Sequence, residues 1–216
     1  MILKYLKFNW NKKQEENMIL GGKIYGLVLS GGKSTRMGTD KGLITYHGMP
    51  QREYLYQLLD RVCDQTFISL RKEQESEVPF GFATIADEDK YRGPYNGLLS
   101  AHSRYPEVAW LVLACDLPLI DLLALQQLIA ARDPNAVATA FAQKDDPLPE
   151  PLCAIWEAKA LEESVRYLNE GNGTCPRKFL INNDHVKLVF PENESVLLNA
   201  NSEEEYKAAL LKLATS

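Results

Sequence analysis

No cysteine pair, histidine cluster, long apolar run or excess of positive charge marks this chain, and each absence removes a class of function. The four cysteines (Cys63, Cys115, Cys153 and Cys175) are far apart and form no C-x-x-C pair. That spacing supports neither a zinc site nor a disulfide framework. Cys115 and Cys153 lie in apolar runs and read as small buried thiols. The three histidines (His47, His102, His185) are isolated and read as structural. A net charge of -5 argues against a surface built to hold nucleic acid, although a local basic cleft for phosphates is compatible with it. The apolar stretch near the N-terminus is too short and too interrupted for a secretory signal or a membrane span. The expected setting is therefore the cytoplasm, with no membrane and no nucleic acid as partner. The sequence has no internal repeat, no G-x-x-x-x-G-K-[ST] loop and no G-x-G-x-x-G fingerprint.

What remains is the balance of a soluble globular protein: 216 residues, 45% hydrophobic and 25% charged. Residues 1–22 mix apolar, basic and polar positions and are expected to lie outside the fold as an extension. Residues 23–216 are expected to form a single domain. Short apolar strands alternate there with helical patterns, which predicts an α/β fold with a mainly parallel sheet. Strands are predicted at Ile24–Leu29, Thr66–Leu70, Ala83–Ala86, Ala109–Cys115, Ala136–Phe141, Leu152–Trp156, His185–Phe190 and Val196–Leu198. Helices are predicted at Pro50–Cys63, Pro94–Arg104, Leu119–Ala131 and Ala158–Asn169, with a short one ahead of which Thr174 acts as cap. A final helix starts at Ser202, where Ser202 and Glu205 make a capping box.

Chemistry concentrates at strand ends. The string LSGGKSTRMGTDK, Leu29–Lys41, leaves the carboxyl end of the first strand, where open α/β sheets bind ligands. Gly31 and Gly32 let backbone N–H groups approach a phosphate, and Arg36 and Lys41 add positive charge. Directly after the most apolar strand comes CDLP, which places Asp116 at the same edge. A carboxylate there suits Mg²⁺, which pairs one or two carboxylates with substrate phosphates. Asp87 follows a short strand, and Gly93-Pro94 opens a helix whose first turn holds Asn96 and Gly97, an N-terminus with free N–H groups. Asn199 and Asn201 follow the late apolar run and could meet a polar ligand or cap the last helix. The stretch Gln143–Pro151 is a loop placed to line or cover a site.

Together LSGGKSTRMGTDK, GPYNG, CDLP and LLNANSEEEY resemble the molybdenum cofactor guanylyltransferases, in order and spacing from about Lys23 to the C-terminus. Every specified position of that family's L-x-G-G-x-S-x-R-M-G-x-D-K motif is present, as are C-D-x-P and N-x-N-[ST]-x-E-E. The resemblance implies a Rossmann-like, three-layer mononucleotide-binding domain that uses GTP and Mg²⁺. It implies GMP transfer to the molybdopterin cofactor with release of pyrophosphate, and transient contacts with cofactor-synthesis or acceptor proteins. It also assigns parts: Leu29, Ser30 and Gly31 to the guanine or ribose, Lys41 to the phosphates, Asp87 to GTP, Asp116 to Mg²⁺ and Gly93–Gly97 to the base. Two positions depart from the pattern: Ser69 where the family often has Asn, and Glu150-Pro151 where some members have His-Pro.

Three rivals remain open at this point. A cytidylyltransferase for the same cofactor would carry L-A-A-G in place of Gly31-Gly32. A sugar-1-phosphate nucleotidyltransferase would share the loop and the metal aspartate but usually adds C-terminal elements. A noncatalytic nucleotide or cofactor carrier would have less need of both Lys41 and Asp116.

Overall fold

The computed structural model describes residues 22–32 and 40–215. Arg36 and most of the predicted extension lie outside the described residues. Among the described residues the sheet has seven strands: β1 (Ile24–Leu29), β2 (Gln65–Leu70), β3 (Thr84–Ala86), β4 (Ala109–Ala114), β5 (Ala138–Phe141), β6 (Cys153–Trp156) and β7 (Val186–Val189). Their order is β3-β2-β1-β4-β6-β5-β7. All neighbours are parallel except at β6, which runs antiparallel to both β4 and β5. The mainly parallel sheet expected from the sequence is thus present, with one reversed strand.

Strands buried on both faces need apolar residues at successive positions, and β4 is buried along its whole length. Alternate residues then serve opposite layers. On one face Val28, Ile68, Leu111 and Leu113 pack with Leu55 and Leu59 of α1 (Gln51–Asp60) and Leu125 and Leu128 of α3 (Leu122–Ala130). On the other, Leu27, Phe67, Trp110 and Val112 meet Tyr95 and Leu98 of α2 (Pro94–Arg104), Leu161 of α4 (Ala158–Asn169) and Phe179 of α5 (Pro176–Ile181). The result is the three-layer α/β/α arrangement. The last helix, α6 (Glu203–Thr215), lies in a smaller cluster with Tyr46 and Ala200. Among the described residues no helix is long and apolar enough to cross a membrane.

Some predicted boundaries move for local reasons. α3 starts at Leu122 rather than Leu119, because the Asp121 carboxylate accepts from Ala124 N (2.8 Å) and fixes the first turn there. The predicted strand Val196–Leu198 is instead a 3₁₀ turn over Glu194–Leu197, opened by Asn193, whose side chain accepts from Ser195 N. Cys175, not Thr174, stands at the start of α5, without a side-chain capping bond. The Ser202–Glu205 capping box is formed: Glu205 N donates to Ser202 Oγ (3.2 Å) and Ser202 N to Glu205 Oε2 (2.9 Å).

A buried ion pair ties the sheet's back edge together. Arg132 grips Glu157 through Nε (2.7 Å) and Nη2 (2.8 Å) and donates from Nη1 to Gly22 O (3.1 Å). Removing one partner strands a buried charge, so Glu157→Ala is expected to cost about 3–5 kcal/mol. Urea unfolding of the variant against the unaltered chain measures this directly.

Candidate active site

Parallel pairing decides which residues can meet. Leu29 at the end of β1 lies beside Ser69 of β2 on one side and Ala114 of β4 on the other. The segments that follow these three strands therefore leave the sheet at one edge, joined by Asp87 after β3, whose N donates to Leu70 O. Two adjoining cavities open there. The larger, about 420 Å³, is lined by Gly31 and Gly32, Ser69 and Arg71, Asp87, Tyr91, and the Gly93–Gly97 helix start. The smaller, about 110 Å³, is lined by Ser30, Asp40, Lys41, Cys115 and Asp116. Leu29, Gly32 and Ala114 belong to both walls.

The larger cavity is shaped by close approach. Ser69 Oγ donates to Asp87 Oδ1 (2.6 Å), and both groups sit against the helix start. A Cβ on Gly97 would stand 2.1 Å from Ser69 Oγ and 2.8 Å from Leu29 Cδ2; one on Gly31 would stand 2.4 Å from Asp87 Oδ2. No side chain fits at either place. Burial raises the Asp87 carboxyl above its ordinary value, against the Ser69 bond, which lowers it; Asp89 adds to the rise, while Asn96 and Arg71 oppose it. Asn96, predicted as a base ligand, lines the cavity while its side chain braces the preceding loop: Oδ1 accepts from Tyr91 N (3.2 Å) and Nδ2 donates to Asp89 (3.3 Å).

The smaller cavity gathers charge from two distant segments, and a third braces it. Lys41 Nζ lies 3.6 Å from Asp116 Oδ2 and donates to Asn201 Oδ1. Asp116 O in turn accepts from Ala200 N (2.9 Å), which holds the Asn199–Asn201 segment against the end of β4. Asn201 does not cap the last helix with its side chain; its backbone N donates to Glu205 Oε2 (2.6 Å), while Ser202 Oγ accepts from Glu205 N. Asn199 faces elsewhere: it lines a third, polar cavity of about 180 Å³ with Gln143, Asp146, Glu150 and Arg177. Glu150 is paired there with Arg177; burial raises its carboxyl, and the Asp116 charge adds to that rise. Gln143, Asp146, Leu148 and Glu150 of the Gln143–Pro151 loop line this third cavity.

Among the described residues no group of three or more His, Cys, Asp or Glu could cage a metal. Asp116 is a half-buried carboxylate beside a phosphate-sized hollow that Asp40 also lines, which fits a metal shared with substrate oxygens rather than an all-protein cage. The cysteines are free thiols, and burial pushes Cys115 up to about 12. His47 stacks on Tyr54 and bonds Pro118 O (2.8 Å), a structural task.

The motif readings did not include Arg71 or Gln74 and gave no part to Asp40, the aspartate of the first motif; the folded chain links all three. Asp40 Oδ1 accepts from Gly42 N (2.8 Å), opening the turn that carries Lys41. Its Oδ2 accepts from Gln74 Nε2 (2.7 Å), whose carbonyl takes Arg71 Nε (3.2 Å). For Arg71 the available signal was its place directly after β2, at the ligand-binding edge.

The description "MobA-like NTP transferase domain" belongs to a family that matches residues 26–186. A molybdenum cofactor biosynthesis bifunctional protein of Synechocystis is 41% identical over 184 residues, 85% of this chain but 52% of that protein. The chain thus spans about half of that relative's length. A molybdenum cofactor guanylyltransferase of Pseudomonas fluorescens is 32% identical over 180 residues, 82% of this chain and 89% of that protein. In fold, the molybdopterin-guanine dinucleotide biosynthesis protein A of Archaeoglobus fulgidus superposes with a TM-score of 0.73 at 21% identity, covering 89% of this chain and all of that one.

Two outcomes follow from the cavity. Gly97→Ala pushes a methyl into Ser69 and Leu29, and urea unfolding is expected to show a loss of ~1–3 kcal/mol, the cost of such overpacking. The raised Asp87 value means the folded chain keeps a proton that the unfolded chain loses first. Stability therefore falls as pH rises through the window between the two values. Asp87→Asn lacks this loss, so its stability advantage over the unaltered chain is expected to grow from about pH 4 to neutrality in paired denaturation curves.

Proposed function

The chain belongs to the MobA-like NTP transferase domain family, and we propose that it transfers GMP from GTP to the molybdopterin cofactor, with Mg²⁺, releasing pyrophosphate. The observation that carries this reading is the meeting of Lys41, Asp116 and Asn201 beside a cavity large enough for a nucleoside. Binding alone needs a cavity. Transfer also needs opposite charges placed where two polyanions must approach, and Lys41 beside Asp116 supplies them.

The chemistry asks little of a base. An acceptor phosphate oxygen is already anionic at neutral pH; it attacks the α-phosphorus of GTP, a new P–O–P link forms, and the α–β link breaks to free pyrophosphate. Catalysis is then positioning and charge neutralisation. Lys41 meets the phosphates, with Asn201 holding its ammonium in place. Arg36, in the same sequence motif, adds a second cation. Asp116 holds the divalent ion, which neutralises phosphate charge when bound. Leu29, Ser30, Gly31 and Gly32 offer backbone to the ribose and base, and Asp87 with Gly93, Pro94, Asn96 and Gly97 walls the base. Asn199 and Asn201 lie toward the acceptor.

Residues 23–216 act in this reading as one nucleotidyltransferase domain, with residues 1–22 as an extension. Free thiols suit a cytoplasmic setting, where reducing conditions keep them so. The choice of GTP over CTP is supported by Gly31-Gly32 and the GPYNG helix start.

The deciding experiment is a nucleotide panel with molybdopterin acceptor and Mg²⁺, reading pyrophosphate and the dinucleotide product. GTP is expected to support turnover and CTP to fail. Asp116→Ala is expected to abolish turnover, and Lys41→Ala to lower it by a hundredfold or so, the order seen on losing one preorganised charge contact. A correctly folded Asp116→Ala protein with near-normal transfer would sink the reading.

A further inference from the structure

Among the described residues, Asp87 and Arg71 are the two charged residues that line the larger cavity. The phosphate-side charges, Lys41 and Asp116, belong to the adjoining one. Arg71 is therefore placed on the base side, and its positive charge acts on the Asp87 carboxylate. Its stem is fixed, because Nε donates to the buried Gln74 amide that also holds Asp40. Its head is held by a pairing of Nη1 with Glu73 (3.1 Å), a side chain 67% exposed. Such a surface pair is worth little and is readily exchanged for a ligand.

Arg71 and Asp87 line one cavity, and a guanidinium fork with a carboxylate suits a heterocycle that presents two acceptors on one edge and donors on another. Guanine does so: O6 and N7 accept, and N1–H and N2–H₂ donate. Arginine matches the O6/N7 pair with two parallel bonds, whereas adenine sets an amino donor against the same fork. We propose that Arg71 is a specificity-determining residue that reads the O6/N7 edge of guanine, with Gln74 as the residue that positions its fork. This rests on the guanylyl-transfer reading above. The rival role for Arg71 is purely structural, closing the turn after β2 and screening Asp87.

Equilibrium titration of the full chain, in Mg²⁺, with GTP and with 7-deaza-GTP separates these roles. The analogue keeps O6 and the donor edge but replaces the N7 acceptor with C–H. The unaltered chain is expected to prefer GTP by about tenfold, the order of discrimination a bidentate contact gives. Arg71→Met is expected to bring the ratio close to one, and Arg71→Lys to lower it, since a point charge cannot make both bonds. Each ratio is measured within one protein, so a general loss of affinity does not mask it. A structural Arg71 would weaken both nucleotides alike and leave the ratio intact, which overturns the assignment. An unaltered chain that binds CTP and not GTP overturns the guanylyl reading itself. One that prefers GTP over CTP yet ignores the N7 change overturns the Arg71 assignment alone.

Discussion

The pairing of β1 with β4 is the constraint on which the site depends. Six residues of each strand lie side by side, from Ile24 against Ala109 to Leu29 against Ala114. Because the two are parallel, the glycine loop and the aspartate segment emerge next to one another, although about eighty residues separate them in the chain. Burial on both faces makes the register costly to change: a slip of one residue would turn Leu111 and Leu113 into the layer built for Trp110 and Val112. The spacing between the glycine loop and Asp116 is thus inherited from apolar packing well away from any ligand.

Charge is added to this frame sparingly. Lys41 is fixed through Asn201, and Asn201 through the Glu205 cap of the last helix. A helix-starting device and the contact on Lys41 are therefore one structure. The same economy holds at Asp40, which opens the turn carrying Lys41 and anchors the Gln74 amide behind Arg71. Lys41 in the smaller cavity and Arg71 in the larger share a support, so the geometry of one is not independent of the other.

Much of this was legible in the chain. Apolar runs located β1 and β4, and the capping pattern located the last helix, because those signals are local. The motif residues on either side of Leu29 were legible because ligand sites in such sheets follow strand ends. What local pattern could not show was contact across the sequence. Nothing near Arg71 reveals that Gln74 reaches Asp40 thirty-four residues away. Nor could the Val196–Leu198 run disclose its 3₁₀ form, since three apolar residues suit either a short strand or a tight turn and Asn193 decides between them. The departure at Ser69 has a physical place too: its hydroxyl donates to Asp87, keeping the carboxylate turned toward the helix start.

The reversed strand has one more consequence. Every other strand delivers its C-terminal end to the ligand edge, but β6 begins there, with Cys153 beside Leu113. The Gln143–Pro151 connection consequently arrives at the site instead of leaving it, and Glu150 and Leu152 are pinned by backbone bonds to Phe141 and Ala114. Both ends of that connection are anchored at one rim, so its middle can lengthen or change composition without disturbing a strand. Variation there would reshape the polar third cavity while the register of β1, β2 and β4 stays fixed.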